Sequence, residues 1–416
     1  MSDNVNVRND NESVCGCGSI THDCFLPDRC SPSKFAPTRF LRSSHIKFFT
    51  NCLSNLPAGY TSLDTNRLTL VHFCVQSLDL LGALDDDALG KNGDENTSNL
   101  INKSNIIDWI YSLYDEDLGG FCGGAYLGNT QNYQERHAVG SQGNNHVHQY
   151  RHVHIAMTFT ALATLAALKD DFKRLTNPHN IIVTLRKMQR SNGSYGAVYP
   201  PNASDSESDL RFVYCACAIS TFLSNWDGID VNLATKYIHS CGTSFDGGIG
   251  LVPGQESHGG STFCGVASLK LMGMMGEDGN EEWKSDLIRW CSQRQVLLTN
   301  EDYNPSGGMQ GRPNKLQDTC YSYWIGGSLL LLDSFDVLDH DALQSYVMSC
   351  QNEQMGGFSK VHGAMPDVLH SFYSLCYLSI SQEEGSNLHA MKVNKMECAL
   401  NVRSDKIKYF DVLRDS

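Results

Sequence analysis

The chain has 416 residues, of which 41% are hydrophobic and 19% are charged. This length and composition predict a globular protein with a large core and exclude a mostly disordered one. The formal net charge of −14 at pH 7 argues against a general affinity for nucleic acid or anionic membranes, because both bind clustered lysine and arginine.

The first 36 residues are rich in Asn, Asp, Ser and Pro and predict a variable, disordered extension. Their cysteines include a C-x-C pair but no matching C-x-x-C pair, so a zinc knuckle is not favoured. The polar start lacks a secretory signal, and no apolar run reaches the roughly 20 residues that span a bilayer. We therefore expect a cytoplasmic protein that does not span a membrane, with its 16 cysteines reduced.

Residues 37–382 predict one helical domain, and residues 383–416 predict a polar, peripheral tail. Residues 68–84 are strongly apolar with helical spacing, whereas long alternating patterns typical of strands are missing from the sequence. Residues 85–104 and 128–151 are polar and rich in Gly and Asn, which is typical of loops or insertions.

A glycine-containing turn recurs about every 50 to 75 residues, and an apolar helix is predicted after each copy. The turns contain Gly119-Gly120-Phe121, Gly193-Ser194-Tyr195-Gly196, Asp246-Gly247-Gly248-Ile249, Gly307-Gly308-Met309 and Gly356-Gly357-Phe358. The helices that follow are predicted over residues 154–168, 209–223, 261–272, 319–332 and 367–380. Repeated helix pairs can close into a ring, so the sequence predicts an all-α fold, an α/α toroid of inner and outer helices. The N-termini of the inner helices would share one mouth, where their dipoles favour an anion.

Asp318, Cys320 and His370 lie at the starts of predicted inner helices, and therefore at this mouth. A carboxylate, a thiolate and an imidazole are three zinc ligands that leave a fourth position open for a substrate. Each residue also has a simpler interpretation: Asp318 could cap its helix, Cys320 could be a small buried side chain, and His370 could be an inner-face histidine.

His258, Arg312 and Lys315 lie at equivalent positions in the repeat and could bind a diphosphate at the helix N-termini. Arg312 and Lys315 could instead be a solvated surface pair. The coincidence of both groups at one mouth favours a metal-activated nucleophile that attacks a carbon bearing a diphosphate leaving group.

The segment GRPNKLQDTCYSYW at residues 311–324 resembles the zinc and diphosphate motif of protein prenyltransferase β subunits. ESHGGSTFCG, PDVLH and ESDLRFVYC are similar to further motifs of that family, and the likeness covers about residues 43–381. The resemblance implies a β subunit paired with a helical-repeat α subunit, with one Zn²⁺ bound by Asp318, Cys320 and His370. The cysteine of a protein substrate would bind this zinc as a thiolate and displace diphosphate from a polyprenyl diphosphate.

The same resemblance implies roles for further residues. Those implied to hold the diphosphate are His258, Arg312, Lys315 and Tyr321. Those implied to line the isoprenoid and peptide site are Arg211, Gly259, Gly260, Cys264, Trp324, Thr69 and Leu369.

Three positions favour the geranylgeranyl type I branch of the family, with a farnesyltransferase β subunit as the alternative. Thr69 and Leu369 stand where the farnesyl enzyme has a bulky Trp and a Tyr, and both leave room for a fourth isoprene unit. Lys360 stands where the farnesyl enzyme has a carboxylate that helps to bind magnesium, so Lys360 is expected to act in catalysis and Mg²⁺ is not required. The implied substrates are geranylgeranyl diphosphate and small GTPases or similar proteins ending in CaaX, with X mostly Leu.

Overall fold

The structure is a computed structural model. It describes residues 39–85, 101–125, 152–201, 207–243, 245–276, 281–297, 306–382 and 391–414. The predicted N-terminal extension and most of the two predicted insertions, at 85–104 and 128–151, lie outside the described residues.

Helices dominate the described residues, and they alternate between an outer and an inner layer. In chain order they are α1 (Arg42–Ser54), α2 (Arg67–Leu80), α3 (Lys103–Tyr111), α4 (Ile155–Ala167), α5 (Pro178–Met188), α6 (Leu210–Phe222), α7 (Val231–Cys241), α8 (Gly259–Met272), α9 (Glu281–Ser292), α10 (Cys320–Leu331), α11 (His340–Ser349), α12 (Val368–Ile380) and the short α13 (Asp411–Arg414). None of the helices in these ranges is long and apolar enough to cross a membrane.

The even-numbered helices form the inner layer, because they are apolar on nearly every side. In α4 all but one of the residues are buried, whereas the outer helix α9 buries only Leu287, Trp290 and Cys291. Each inner helix packs against the next one in the chain, and α12 packs against α2. The inner helices therefore form a closed ring, and the predicted α/α toroid is confirmed.

Short antiparallel pairs of two-residue strands hold the loops at the helix ends. In chain order the strands are β1 (Tyr114–Asp115), β2 (Gly120–Phe121), β3 (Val153–His154), β4 (Tyr195–Gly196), β5 (Val198–Tyr199), β6 (Ser208–Asp209), β7 (Phe358–Ser359), β8 (Pro366–Asp367), β9 (Met396–Glu397) and β10 (Val402–Arg403). The pairs are β1 with β2, β3 with β5, β4 with β6, β7 with β8, and β9 with β10. Two of these pairs, β4 with β6 and β7 with β8, join a glycine turn to the residue that caps the next inner helix, so the turn fixes where that helix begins.

The helix boundaries differ from the predicted ones by a few residues. The helix predicted at 68–84 ends at Leu80, because a turn with Gly82 at φ +65° follows it. The helix predicted at 261–272 begins earlier, at Gly259, because His258 caps it with its side chain. Gly307 requires glycine, because it has φ +103° and an added Cβ would lie 2.5 Å from the carbonyl oxygen of Ala342.

The outer layer closes where α1 packs against the last glycine turn. Nδ1 of the buried His45 accepts a hydrogen bond from Gly357 N at 2.8 Å, and its Nε2 lies 2.9 Å from Gln351 Oε1. Because Nδ1 accepts, Nε2 must carry the proton and donate to Gln351. This arrangement needs a neutral imidazole, and it joins the first repeat to the last.

The prediction of a polar, peripheral tail is wrong for residues 391–414, which we call the C-terminal strap. The strap packs at the C-terminal ends of inner helices, where the Phe410 ring stacks on Phe222 with centroids 4.0 Å apart. Asp79 on α2 is fully buried and lies 3.3 Å from Lys406 Nζ and 3.2 Å from Arg403 Nη1. The strap was missed because its apolar residues are scattered among polar ones and its cations are paired only in the folded protein.

The His45 contact predicts a pH-dependent stability. Burial lowers the pKa of His45 from 6.5 to about 4, so only the unfolded chain takes up this proton between these values. The contribution of His45 is complete above pH 6.5 and falls by up to about 3 kcal/mol as the pH drops to 4. We expect the difference in unfolding free energy between the natural chain and His45→Gln to shrink from pH 7.5 to pH 5.5, measured by urea denaturation. An unchanged difference would contradict the neutral, buried imidazole.

Candidate active site

The structure brings Asp318, Cys320 and His370 together at the mouth of the toroid. Asp318 and Cys320 flank the start of α10, and His370 lies in the first turn of the neighbouring α12. A carboxylate oxygen of Asp318, Sγ of Cys320 and a ring nitrogen of His370 all lie within 4.8 Å of one another. His370 Nε2 is 3.3 Å from Asp318 Oδ1, which also accepts a hydrogen bond from Cys320 N at 2.9 Å. These side chains fit a tetrahedral zinc ion that keeps one coordination position for a substrate.

Asp367, which is not among the residues predicted from the sequence, orients the histidine of this cluster. Its Oδ2 lies 2.6 Å from His370 Nδ1, and its Oδ1 accepts from His370 N at 2.9 Å. The carboxylate therefore caps α12 and directs His370 Nε2 towards Asp318. Metal-binding histidines in proteins commonly have such a carboxylate partner. The signal in the sequence was an Asp at the cap position three residues before the histidine.

The electrostatics of the cluster favour a cation. Burial alone would lower the pKa of His370, but the hydrogen bonds and charges of Asp318 and Asp367 outweigh it and raise the pKa to about 9. Burial, and then the charge of Asp318, raise the pKa of the Cys320 thiol well above its usual range. Metal binding to these side chains would therefore be coupled to the release of protons.

Lys360 lies at the edge of the cluster. Its Nζ is 3.6 Å from Asp318 Oδ2, and its carbonyl oxygen accepts a hydrogen bond from Thr319 N at 3.0 Å. The side chain is 61% exposed, so its ammonium group can reach an anion above the cluster. Lys360 is therefore attached to the start of α10 through its backbone while its charge stays accessible.

His258 and Tyr321 are joined across the mouth between α8 and α10. His258 Nδ1 accepts a hydrogen bond from Gly260 N at 3.0 Å, so its Nε2 carries the proton and donates to Tyr321 Oη at 2.9 Å. The hydroxyl hydrogen of Tyr321 can then point at a ligand. Gly311 lies against the Tyr321 ring, where an added Cβ would meet Cζ at 2.0 Å. The close approach of this backbone to the ring explains the glycine.

Arg312 and Lys315 lie in the loop before α10, as expected for residues at the mouth. Arg312 Nη1 donates to Glu256 Oε2 at 2.9 Å, and the Arg312 side chain is 41% exposed. Lys315 is exposed, and its backbone N donates to Gln310 Oε1 at 3.3 Å. Burial lowers the pKa of His258, and the positive charge of Arg312 lowers it further. The guanidinium therefore acts electrostatically on the His258 imidazole.

An aromatic cluster lies below the mouth and includes Trp324. The Trp324 ring centroid is 4.2 Å from that of Tyr373 and 5.1 Å from that of Phe263. Phe73 on α2, which packs against α12, contacts Tyr373 with ring centroids 5.7 Å apart. Thr69 lies one helical turn before Phe73 on the same face of α2. Only Trp324 and Thr69 were predicted here, although inward-facing aromatic residues on inner helices could have indicated the others.

The remaining predicted lining residues differ in their burial and in the groups that they contact. Cys264 is buried in α8, and Leu369 is 37% exposed beside His370. An added Cβ at Gly259 would lie 2.9 Å from the Ile325 side chain, so a side chain at this position would require Ile325 to shift. Asp209 and Glu207 hold the Arg211 guanidinium through Nη2 at 2.7 and 3.1 Å, and the lining role of Arg211 stays a prediction.

His154 is a further residue at the mouth that was not predicted from the sequence. Its Nδ1 accepts from Ala156 N at 3.1 Å, so it caps α4 in the way that His258 caps α8. Burial, and then the charges of His152 and Arg211, lower its pKa to about 4. Aligning the cap positions of the repeats would have revealed this equivalence.

Comparisons with known proteins agree with this architecture. Residues 40–402 match the family described as the prenyltransferase alpha-alpha toroid domain. A geranylgeranyl transferase type-1 subunit beta from Arabidopsis thaliana is 34% identical, covering 86% of this chain and 88% of that one. The protein of the same name from Dictyostelium discoideum is 38% identical, with 80% and 88% covered. The structure of Candida albicans protein geranylgeranyltransferase-I complexed with GGPP matches with a TM-score of 0.72 and 25% identity, covering 91% of this chain and all of that one.

The Asp367–His370 hydrogen bond predicts a weaker metal site when the carboxylate is removed. We expect Asp367→Ala to lower the affinity for Zn²⁺ by about 10- to 100-fold, because His370 loses its fixed orientation. Competition with a chromophoric chelator measures this change. Asp339→Ala is the matched control, because Asp339 caps α11 by accepting from Ala342 N and lies in the outer layer of helices. Equal zinc affinities in the two variants would contradict the orienting role.

Proposed function

This chain belongs to the prenyltransferase α/α toroid family, among the geranylgeranyl transferase type-1 β subunits, and we propose that it transfers a geranylgeranyl group to the cysteine of C-terminal CaaX sequences. The family resemblance drawn from the sequence motifs is confirmed by the comparisons. The observation that carries the proposed reaction is the juxtaposition of two groups on α10. Cys320 belongs to the candidate metal cluster, and Tyr321, the next residue, belongs to the His258 pair.

Asp318, Cys320 and His370 would hold one Zn²⁺, with Asp367 orienting His370. When bound, the zinc would keep the thiol of the substrate cysteine deprotonated near neutral pH. The substrate thiolate then forms a bond to C1 of geranylgeranyl diphosphate, and the bond from C1 to the diphosphate oxygen breaks. A thioether and inorganic pyrophosphate are the products.

The chain's own donors and cations would bind the diphosphate and stabilise it as it leaves. Tyr321 can donate its hydroxyl hydrogen, because the proton on His258 Nε2 already satisfies the hydroxyl as an acceptor. Arg312 and Lys315 add positive charge in the loop before α10. The exposed ammonium of Lys360 would neutralise charge developing on the diphosphate, so that no Mg²⁺ is required. Donors positioned where negative charge grows lower the barrier to such a reaction.

The room for a geranylgeranyl chain follows from small side chains next to the aromatic cluster. Thr69 is only partly buried, and its Oγ1 lies 3.5 Å from Met157 Sδ. Because Thr69 lies one helical turn before Phe73 on α2, we expect an aromatic side chain at position 69 to occupy space beside the aromatic cluster. Leu369 is likewise smaller than a tyrosine and lies beside His370. Both positions support the longer isoprenoid.

We further propose that the chain acts in the cytoplasm as the β subunit of an obligate heterodimer with a prenyltransferase α subunit. The type-1 β subunit names of the Arabidopsis and Dictyostelium relatives support this partner. The identification of small GTPases or similar proteins ending in CaaX as substrates rests on the family resemblance.

The proposed function predicts a preference for geranylgeranyl diphosphate and Leu-ending peptides when the chain is co-expressed with its α subunit. Thr69→Trp should shift the ratio of kcat/KM values towards farnesyl diphosphate by at least about 10-fold, because the larger ring fills space needed by the fourth isoprene unit. Ser62→Trp, at an exposed position of the 3₁₀ helix Ala58–Asn66 that precedes α2, is the control and should leave the ratio unchanged.

A steady-state comparison of both lipids with Leu- and Ser-ending peptides measures this preference. Faster use of farnesyl diphosphate with Ser-ending peptides by the natural chain would instead support the farnesyltransferase alternative. The absence of transfer with either lipid would refute the proposed activity.

A further inference from the structure

Three contacts join the loop before α8 to the segment around the start of α10, and together we call them the mouth seam. They are Gly259 N to Gly311 O at 2.9 Å, His258 Nε2 to Tyr321 Oη at 2.9 Å, and Arg312 Nη1 to Glu256 Oε2 at 2.9 Å. The first contact joins backbone groups, and the second joins two side chains that are already assigned to the diphosphate site. Glu256 has no role so far, although it is the acidic residue of the seam.

We propose that Glu256 is a positioning residue for diphosphate binding, which holds the Arg312 guanidinium over the mouth. This inference rests on the proposed function, because it concerns the same diphosphate. The carboxylate contacts Arg312 through Nη1. A guanidinium has five N–H donors, so the donors on Nε and Nη2 stay available for an anion. Glu256 would therefore fix one end of the group and leave the other end for the ligand.

The backbone around Glu256 is well anchored, as a positioning role requires. The next residue, Ser257, is buried and donates from Oγ to Asp246 Oδ1 at 2.6 Å. Asp246 also accepts from Trp290 Nε1 on α9 at 3.0 Å, so the loop is tied to the outer layer. His258 N donates to Ile249 O at 3.0 Å. Glu256 is thus presented from a fixed loop, whereas Arg312 has a long side chain that needs a partner to stay in one conformation.

The charge of Glu256 also repels a diphosphate, and this effect opposes the positioning. The two side chains of the pair are 41% and 52% exposed, so water and salt screen that repulsion. An unrestrained arginine loses substantial side-chain entropy when it binds an anion, and Glu256 removes much of that loss beforehand. Positioning is therefore the larger effect, and removal of Glu256 should weaken diphosphate binding.

Full-length chains in complex with the α subunit test this inference. We expect Glu256→Ala to raise both the KM for geranylgeranyl diphosphate and the dissociation constant of inorganic pyrophosphate about three- to five-fold, with little change in kcat. Glu256→Gln should recover most of the binding, because the amide oxygen can still accept from Arg312. Glu281→Ala, which removes one negative charge from the start of α9, is the control for net charge.

A double-mutant cycle with Arg312→Ala shows whether Glu256 acts through Arg312. In the Arg312→Ala background we expect Glu256→Ala to weaken pyrophosphate binding no further, because only the screened repulsion by Glu256 is left to remove. An undiminished weakening in that background, or tighter pyrophosphate binding by Glu256→Ala in the chain that retains Arg312, would overturn the inference. Because pyrophosphate binding needs no transfer, it separates the two hypotheses. A natural complex that binds pyrophosphate in a Glu256-dependent way but transfers no lipid would refute only the proposed function.

Discussion

Closure of the helical ring is the constraint on which the site depends. α12 packs against both α10 and α2, so the last repeat contacts the first repeat as well as the repeat before it. The starts of the inner helices therefore share one mouth. This arrangement brings His370 to Asp318 and Cys320, which lie in a different repeat. His45 completes the closure in the outer layer, far from the cluster in sequence. The metal cluster is therefore a product of the fold and has no local sequence motif that contains all its members.

The helix dipoles favour an anion at one end of the toroid and cations at the other end. At the mouth, the N-termini of the inner helices lie beside the donors and cations of the mouth seam, which favours an anion. At the other end, the C-terminal strap brings Arg403 and Lys406 to the ends of the inner helices, where they pair with Asp79. The strap thus closes one end with internal charge pairs, whereas the charges at the mouth remain accessible. A prenyl chain entering the mouth would meet the aromatic cluster around Trp324 below it.

Features that repeat along the chain could be predicted from the sequence, and features that depend on a single tertiary contact could not. The inner helices were found because nearly every side of each helix is apolar, and the candidate ligands were found because they occupy equivalent positions in different repeats. The burial of the strap was missed because its apolar residues follow no helical or strand period. Asp367 and Glu256 were missed because a carboxylate near a helix start is usually a cap or a solvated charge, and only coordinates reveal its partner.

The most direct test of this account is X-ray absorption spectroscopy of zinc in the active heterodimer, with and without a CaaX peptide. The account predicts one bound zinc with a single sulfur ligand, Cys320, at about 2.3 Å in the free enzyme. Addition of the peptide should bring a second sulfur to the same distance. A heterodimer that is active without zinc, or a zinc site whose number of sulfur ligands does not change with the peptide, would contradict the account.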